Sequence, residues 1–325
     1  MAEQRNRRKE GAFLQALSIA FHAIVPLFLI IAVGYAVKRL GWIGPEEVQR
    51  FNKVTFYTFM PVMLFYNIYT SDFSQAVRLP YVLLVVGAAL SMVLIATAVT
   101  LLAEKTPQRR GVMIQAAFRS NFVLLGLPIA MELLPGGNLG VTALMIAIVV
   151  PIFNILSVVI LEYFRGGTPK LKEVLLAVAK NPLIIGSLAG LLVQALHVSL
   201  PDVLVSFAGK MNSAATPLIL LLLGASFEAR KLSDYKKELA VCVGLRLVIF
   251  PGAILTLAML LGIRDTEFVT LLAMCAAPTA VNSFNMAQQL GGDSQLAGSA
   301  VVVSTALSFV TLFVWITLFK QLGMF

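Results

Sequence analysis

Two apolar stretches about 150 residues apart carry the groups best placed to do chemistry. The first reads Arg119-Ser120-Asn121-Phe122-Val123-Leu124-Leu125-Gly126-Leu127-Pro128, and the second Ala276-Ala277-Pro278-Thr279-Ala280-Val281-Asn282-Ser283. Each holds a proline, an amide and hydroxyls inside a run otherwise long enough to cross a bilayer. Proline lacks a backbone donor and clashes with the preceding turn, so each helix is expected to break near mid-membrane and free its peptide groups. Hydrocarbon cannot satisfy such groups. Protein or a watery cavity must do so, which is how secondary transporters build substrate sites. Half-helices beginning at Pro128 and Pro278 would direct free N–H groups and positive dipole ends to the membrane centre, a setting for a carboxylate that needs no buried lysine.

Asn121 and Asn282 add donors at these breaks, and Asn154 in a neighbouring span reaches the same cavity. An amide both donates and accepts, so it can hold a carboxylate or its acid form. The competing role for these amides is to cap broken helices. Ser120, Thr279 and Ser283 rank lower, because small hydroxyls in membrane helices commonly bond their own backbone. The candidate substrate contacts are thus Asn121, Gly126, Pro128, Asn154, Pro278, Thr279 and Asn282. Three ionisable residues are candidates for coupling or electrostatic attraction. Arg246 is the deepest, roughly 12 Å into its span at helical rise. It either draws the anion or binds helix-end carbonyls, and the second role is ahead. Glu132, one turn before Pro135-Gly136-Gly137, fits headgroup depth better than a proton site, and Arg119 is expected near the mouth of the first break. His22 and His197 fall near span ends and read as packing or interface residues.

The elements that must position these residues are membrane helices. Of 325 residues, 59% are hydrophobic and 13% charged, with a mean hydropathy of +0.89, which leaves no soluble domain. The net charge of +9 sits in short loops without a basic face or stacking aromatics, so nucleic acid is excluded as a partner. Cys242 and Cys275 lie in apolar spans and read as packing residues, with no disulfide framework and no metal site. The basic start Arg5-Asn6-Arg7-Arg8-Lys9 precedes a run too long for a signal peptide, read here as the first helix. Runs of about 20 apolar residues give ten spans: roughly 14–38, 51–70, 81–103, 112–134, 139–163, 182–198, 203–227, 238–262, 267–290 and 294–319. Between 166 and 181, Gly166-Gly167 ends a helix and Thr168-Pro169 starts a short amphipathic one. Leu171, Val174, Leu175 and Val178 share its apolar face.

This linker separates halves that resemble each other. Pro61 and Asp72 recur as Pro217 and Glu228, Pro128 as Pro278, and Gly136-Gly137-Asn138 as Gly291-Gly292-Asp293, at offsets of 156, 150 and 155. The fold class is therefore an all-α polytopic membrane protein with ten transmembrane helices in two five-helix repeats, residues 1–165 and 182–325, flanking the linker at 166–181. Five is odd, so the repeats must be inverted, with broken crossover helices four and nine, as in alternating-access transporters. Loops after the odd-numbered spans carry about 15 Lys and Arg against about eight on the other face, which places those loops in the cytoplasm and both termini outside.

The run from Asn121 to Pro128 resembles the Asn-x-x-x-x-Gly-x-Pro crossover of the auxin efflux carrier family, which includes plant PIN-type auxin exporters and bacterial organic-acid carriers. Further matches follow in order: Pro61-Val62-Met63-Leu64-Phe65, Asn154 with Glu162-Tyr163-Phe164-Arg165, Lys180-Asn181-Pro182, Arg246-Leu247 with Pro251, and Pro278 with Asn282. The resemblance implies a scaffold of spans one, two, six and seven that forms a homodimer, and a mobile transport unit of spans three to five and eight to ten. It also implies a small organic anion, auxin-like or a dicarboxylate, held at the crossover, and a multi-pass protein of the cell membrane, the inner membrane in a bacterium. Two departures stand out. The span from Tyr81 to Ala103 has no ionisable residue where plant members carry an Asp and a Lys, and the linker is about 18 residues long where plant members have a long loop.

No nucleotide-binding loop, zinc-protease motif or nucleophile elbow is present, so no enzyme and no cofactor is expected. Gly186-Ser187-Leu188-Ala189-Gly190 reads as close helix packing. The function expected is a secondary carrier of small organic anions, with membrane lipid as its surroundings. A carboxylate sensor that does not transport, or a sodium-coupled carrier of the bile-acid-symporter type, is the alternative. Glu132 or the substrate's own carboxyl group is the candidate for proton coupling.

Overall fold

The computed structural model describes residues 21, 24–70, 78–134, 139–166 and 171–325. Among them the chain is helical, joined by one isolated β-bridge. The N-terminal basic run, His22, Asp72, Gly136-Gly137-Asn138 and Thr168-Pro169 lie outside the described residues.

Helix α1 covers 24–39. Helix α2, Pro45–Val54, starts earlier than the hydropathy of its span predicts, because Pro45 sits at its first position and the Glu47 carboxylate accepts from the Gly44 N–H at 3.0 Å. It runs through a π-helical turn, Thr55–Phe59, into α3, Met60–Tyr69. Then follow α4 (Leu79–Ala103), α5 (Pro107–Phe118), a second π turn (Phe122–Gly126) with α6 (Leu127–Leu133), and α7 (Gly140–Tyr163). The linker helix α8, Leu171–Ala179, forms where the sequence predicts it. The second half comprises α9 (Pro182–Ala195), α10 (Asp202–Ser226), α11 (Lys236–Gly244), a third π turn (Leu245–Ile249) with α12 (Phe250–Leu260), α13 (Asp265–Ala276), α14 (Asn282–Gln289) and α15 (Ser294–Gln321).

The three π turns have one cause. Pro61, Pro128 and Pro251 each stand at the second position after such a turn. The N–H groups of Met60, Leu127 and Phe250 reach back five residues to the carbonyls of Thr55, Phe122 and Leu245. The wider turn absorbs a proline that cannot donate to the fourth residue back. Pro128 therefore does not break its helix. The break lies at Arg119–Asn121, and its second half begins at Phe122. In the other crossover Pro278 lies within the break and the second half begins at Asn282. The bridge pairs Ser120 with Thr279, an offset of 279 − 120 = 159 rather than the 150 between the two prolines, so Pro128 and Pro278 are not equivalent positions.

Among the described residues, five segments are long and apolar enough to span a membrane: α4, α7, α10, Leu232–Leu260 and α15. Their outer faces carry large exposed apolar side chains such as Leu94, Leu102, Val203 and Leu260, as lipid-facing helices do. Helix α3 packs along α9 and α10, while α4, α5, α7, α11, α13 and α15 pack among themselves around the breaks. The first group is close-packed through glycine. A Cβ on Gly186 would stand 2.5 Å from the Pro61 carbonyl oxygen, and one on Gly190 would stand 2.9 Å from that of Phe65. Between the groups, Asn285 Nδ2 donates to the Asn52 carbonyl at 3.2 Å and to Asn52 Oδ1 at 2.8 Å, and Asn52 Nδ2 donates to Gln288.

Backbone atoms cannot yield as a flexible side chain does, so Gly186→Leu is expected to lower the melting temperature of the detergent-purified protein strongly. Overpacking of this kind costs about 1–3 kcal/mol or more. Gly87→Ala, with nothing within 4 Å of the added Cβ, serves as the control and is expected to melt as wild type does. Equal melting of the two variants would remove the close α3–α9 approach.

Candidate functional site

The site begins with the peptide groups that the two breaks set free. They satisfy one another. The Asn121 N–H donates to the Pro278 carbonyl at 2.8 Å, and the Ala280 N–H to the Arg119 carbonyl at 2.9 Å. The hydroxyls exchange in the same manner. Ser120 Oγ donates to the Met274 carbonyl at 2.6 Å, at the end of α13, while Thr279 Oγ1 donates to the Ala116 carbonyl at 2.8 Å, at the end of α5. The sequence expectation that these hydroxyls bond their own helices is corrected: each caps the other crossover. Thr279 is fully buried and Ser304 Oγ accepts from its N–H, so its groups serve the crossing.

Arg246 completes the junction from the π turn between α11 and α12. Its guanidinium donates to the carbonyls of Ala277 (2.9 Å), Phe118 (3.0 Å), Met274 (2.8 Å) and Cys275 (2.5 Å), and it has no exposed surface. These carbonyls belong to the C-terminal ends of both first half-helices, where the macrodipole is negative and a cation is stabilising. Arg246 lines no part of the cavity described below, so the carbonyl-binding role holds in this structure.

On the other side of the crossing the second half-helices open onto a cavity of about 480 Å³. Phe122, Val123 and Leu124 line it from one helix start and Val281 and Asn282 from the other, in first turns whose N–H groups have no intrahelical acceptor. Asn121, Asn154 and Pro128 line it too. Arg119 does not sit at a mouth as the sequence reading placed it. It is 4% exposed, lines the cavity, and donates to Asn154 Oδ1 at 2.6 Å and Ser283 Oγ at 3.2 Å. That bond fixes the Asn154 amide with its Nδ2 turned away from Arg119. Nδ2 of Asn154 and of Asn121 are both buried without a partner. Among the described residues Arg119 is the one ionisable group lining the cavity, and no carboxylate lines it with Arg119.

Of the other residues singled out in the sequence, Gly126, Pro278 and Thr279 do not line the cavity. Gly126 lets the second half-helix approach α13: a Cβ there would stand 2.8 Å from the Ala273 carbonyl oxygen. Pro278 contributes its carbonyl to the crossing. Glu132 is exposed on α6, outside the cavity, and His197 is exposed after α9. Both cysteines are buried and free. The sequence reading missed the opposite wall, where Asn67 on α3 and Asn212, Ser213 and Thr216 on α10 face the cavity. The signal was present: Asn212 and Thr216 are one helical turn apart in an otherwise apolar span.

The family model described as membrane transport protein matches the chain twice, over residues 19–173 and 168–316. The chain belongs to this family, that of the auxin efflux carriers. Its two matches meet at the linker that separates the halves. An uncharacterized transporter of Methanocaldococcus jannaschii is 22% identical over 273 residues, 81% of this chain and 87% of that protein. A second uncharacterized transporter, from Methanothermobacter thermautotrophicus, is 25% identical over 273 residues, 79% of this chain and 84% of that protein. As a family member with several apolar helices, the chain is a multi-pass membrane transport protein.

If Arg246 holds the two helix ends, Arg246→Gln leaves carbonyls at both ends without donors, at about 1–3 kcal/mol for each buried group. Arg246→Lys retains charge but not the planar fork. Both variants are expected to melt at lower temperature and to give poor yield, with Lys the milder. Wild-type melting with lost transport would move Arg246 into the binding machinery.

Proposed function

We propose that this protein is a secondary carrier that moves small organic anions across the cell membrane by alternating access, with the carboxylate held at the crossing. The observation that carries this reading is the donor set of the cavity. A buried guanidinium without a counter-ion and two helix starts line one space together with two asparagines whose Nδ2 groups have no partner, and no carboxylate lines it among the described residues. Buried donors and charges of this kind need an acceptor, and a carboxylate supplies two oxygens for them. The apolar remainder, including Met63, Leu127, Met131 and Phe153, suits an organic body.

The same reading takes the chain as ten spans in two inverted repeats. The group of α1 to α3, α9 and α10 is then the scaffold and dimer face, and the remainder is the moving body. The cavity lies between the two groups, so sliding one past the other would change the side from which it is reached. Contact between them at Asn52, Asn285 and Gln288 is made of neutral amides, which exchange for water more readily than a buried ion pair does. Both termini are taken to face outward. Asn282 and Pro128 complete the substrate contacts, with Glu132 left to the headgroup region.

Counterflow tests the carrier. Proteoliposomes preloaded with an unlabelled carboxylate found by a thermal-shift screen should accumulate the labelled compound transiently. Saturable binding without exchange would make the protein a sensor. In the same assay Asn121→Ala and Asn154→Ala are expected to weaken transport about tenfold or more, since a hydrogen bond to a charged group is worth about 1.5–3 kcal/mol. Normal transport by both variants would place the site elsewhere.

Coupling is expected to be independent of sodium. No group of three or more His, Cys, Asp or Glu side chains comes together among the described residues, and the charge that lines the cavity, that of Arg119, repels a cation. Replacing sodium by potassium or choline at fixed pH and imposed potential should leave the rate unchanged. A strict sodium requirement would instead favour a symporter of the bile-acid type.

A further inference from the structure

The cavity poses a charge problem before any organic substrate arrives. A guanidinium cannot be deprotonated in a protein, so Arg119 keeps its positive charge at 4% exposure. Its two hydrogen-bond partners, Asn154 Oδ1 and Ser283 Oγ, are both neutral. Three of its five N–H groups remain. The nearby Arg246 adds positive charge on the far side of the crossing, its guanidinium enclosed by carbonyls. A buried charge is held at acceptable cost only when it is paired, and the described residues of the lining offer no Asp or Glu to pair it.

We infer that, in the absence of organic substrate, the crossing binds a small inorganic monoanion, a halide, held by Arg119 and the Nδ2 group of Asn121, and that the organic carboxylate displaces it. The inference rests on the carrier reading for the second step only. A halide accepts hydrogen bonds from any direction and asks for no acceptor-side geometry. The crossing side of the cavity is rich in donors, with the free guanidinium edge, the unpartnered Asn121 Nδ2 and the starts of two helices, while the neutral amides and hydroxyls of Asn67, Asn212, Ser213 and Thr216 lie on the opposite wall. Chloride is the halide abundant enough in living systems to fill such a place. The exchange keeps the cavity's charge constant, since one monoanion leaves as another enters, so substrate binding need not bring a bare charge into the membrane.

The test is equilibrium binding of radiolabelled chloride to the full chain in nanodiscs of neutral lipid, in halide-free buffer at constant ionic strength. Wild type should bind about one chloride per chain, saturably. Bromide should compete, and Asn121→Ala, which removes the unpartnered Nδ2, should weaken binding about tenfold. Arg119→Gln, checked by melting for its fold, should abolish it, and Arg119→Lys should retain part. Absence of saturable binding in wild type overturns the proposal, as does binding that Asn121→Ala and a folded Arg119→Gln leave unchanged. Chloride binding with no carboxylate able to displace it would uphold the halide site and sink the carboxylate reading. Carboxylate binding that requires Arg119 but is indifferent to chloride would do the reverse.

Discussion

Everything at the centre of this molecule depends on two interrupted helices finding hydrogen-bond partners where there is no water to supply them. Each break supplies the other. Backbone pairs join Asn121 to Pro278 and Ala280 to Arg119, and the hydroxyls of Ser120 and Thr279 are traded across the crossing. Arg246 donates to three carbonyls that this exchange leaves over, and to that of Met274, which it shares with Ser120. Because the partners lie on elements about 150 residues apart, neither break is stable without the other, and the two halves of the chain are locked together at their weakest points.

The crossing also sorts charge. Helix ends with negative dipole character meet on a permanent cation, and helix starts with positive character meet on an open cavity. The guanidinium of Arg246 is spent on structure, which leaves Arg119 as the charge available to a ligand. The two arginines are both buried in the same region, yet their surroundings differ. One is enclosed by carbonyl oxygens, the other held by a single amide oxygen and a hydroxyl.

Much of this could be read from the chain. Long apolar runs, the linker near residue 170 and the pairing of two interrupted spans follow from hydropathy and from proline chemistry, and the ordered motifs pointed to the family that the comparison then showed. The place of the breaks was not legible from proline alone. A proline can be absorbed by a π turn, as at Pro128, or can stand in the break, as at Pro278, and the choice is made by what the opposite helix offers. Asn121, Asn154 and Asn282 were recognisable because amides are rare in apolar spans. The depth of Arg119 was not, since its distance from a span end says nothing of the break that folds it inward. The wall formed by Asn212 and Thr216 was not legible from helix breaks, because α10 continues through Pro217 without one.

The π turns fix more than a hydrogen-bond pattern. Each holds an extra residue relative to an α-helical turn, so the helix beyond it is rotated by roughly 100°, the angle per residue of an α-helix. In the segment Phe122–Gly126 this rotation decides which side chains of α6 meet the cavity, and Leu127, Pro128 and Met131 do so. Winding this turn as regular α-helix with every residue kept would rotate those three side chains away from the cavity by that angle. The orientation of α6 is therefore set by a missing donor: Pro128 has no N–H to offer Leu124, which holds the wider turn open and with it the face that α6 turns to the cavity.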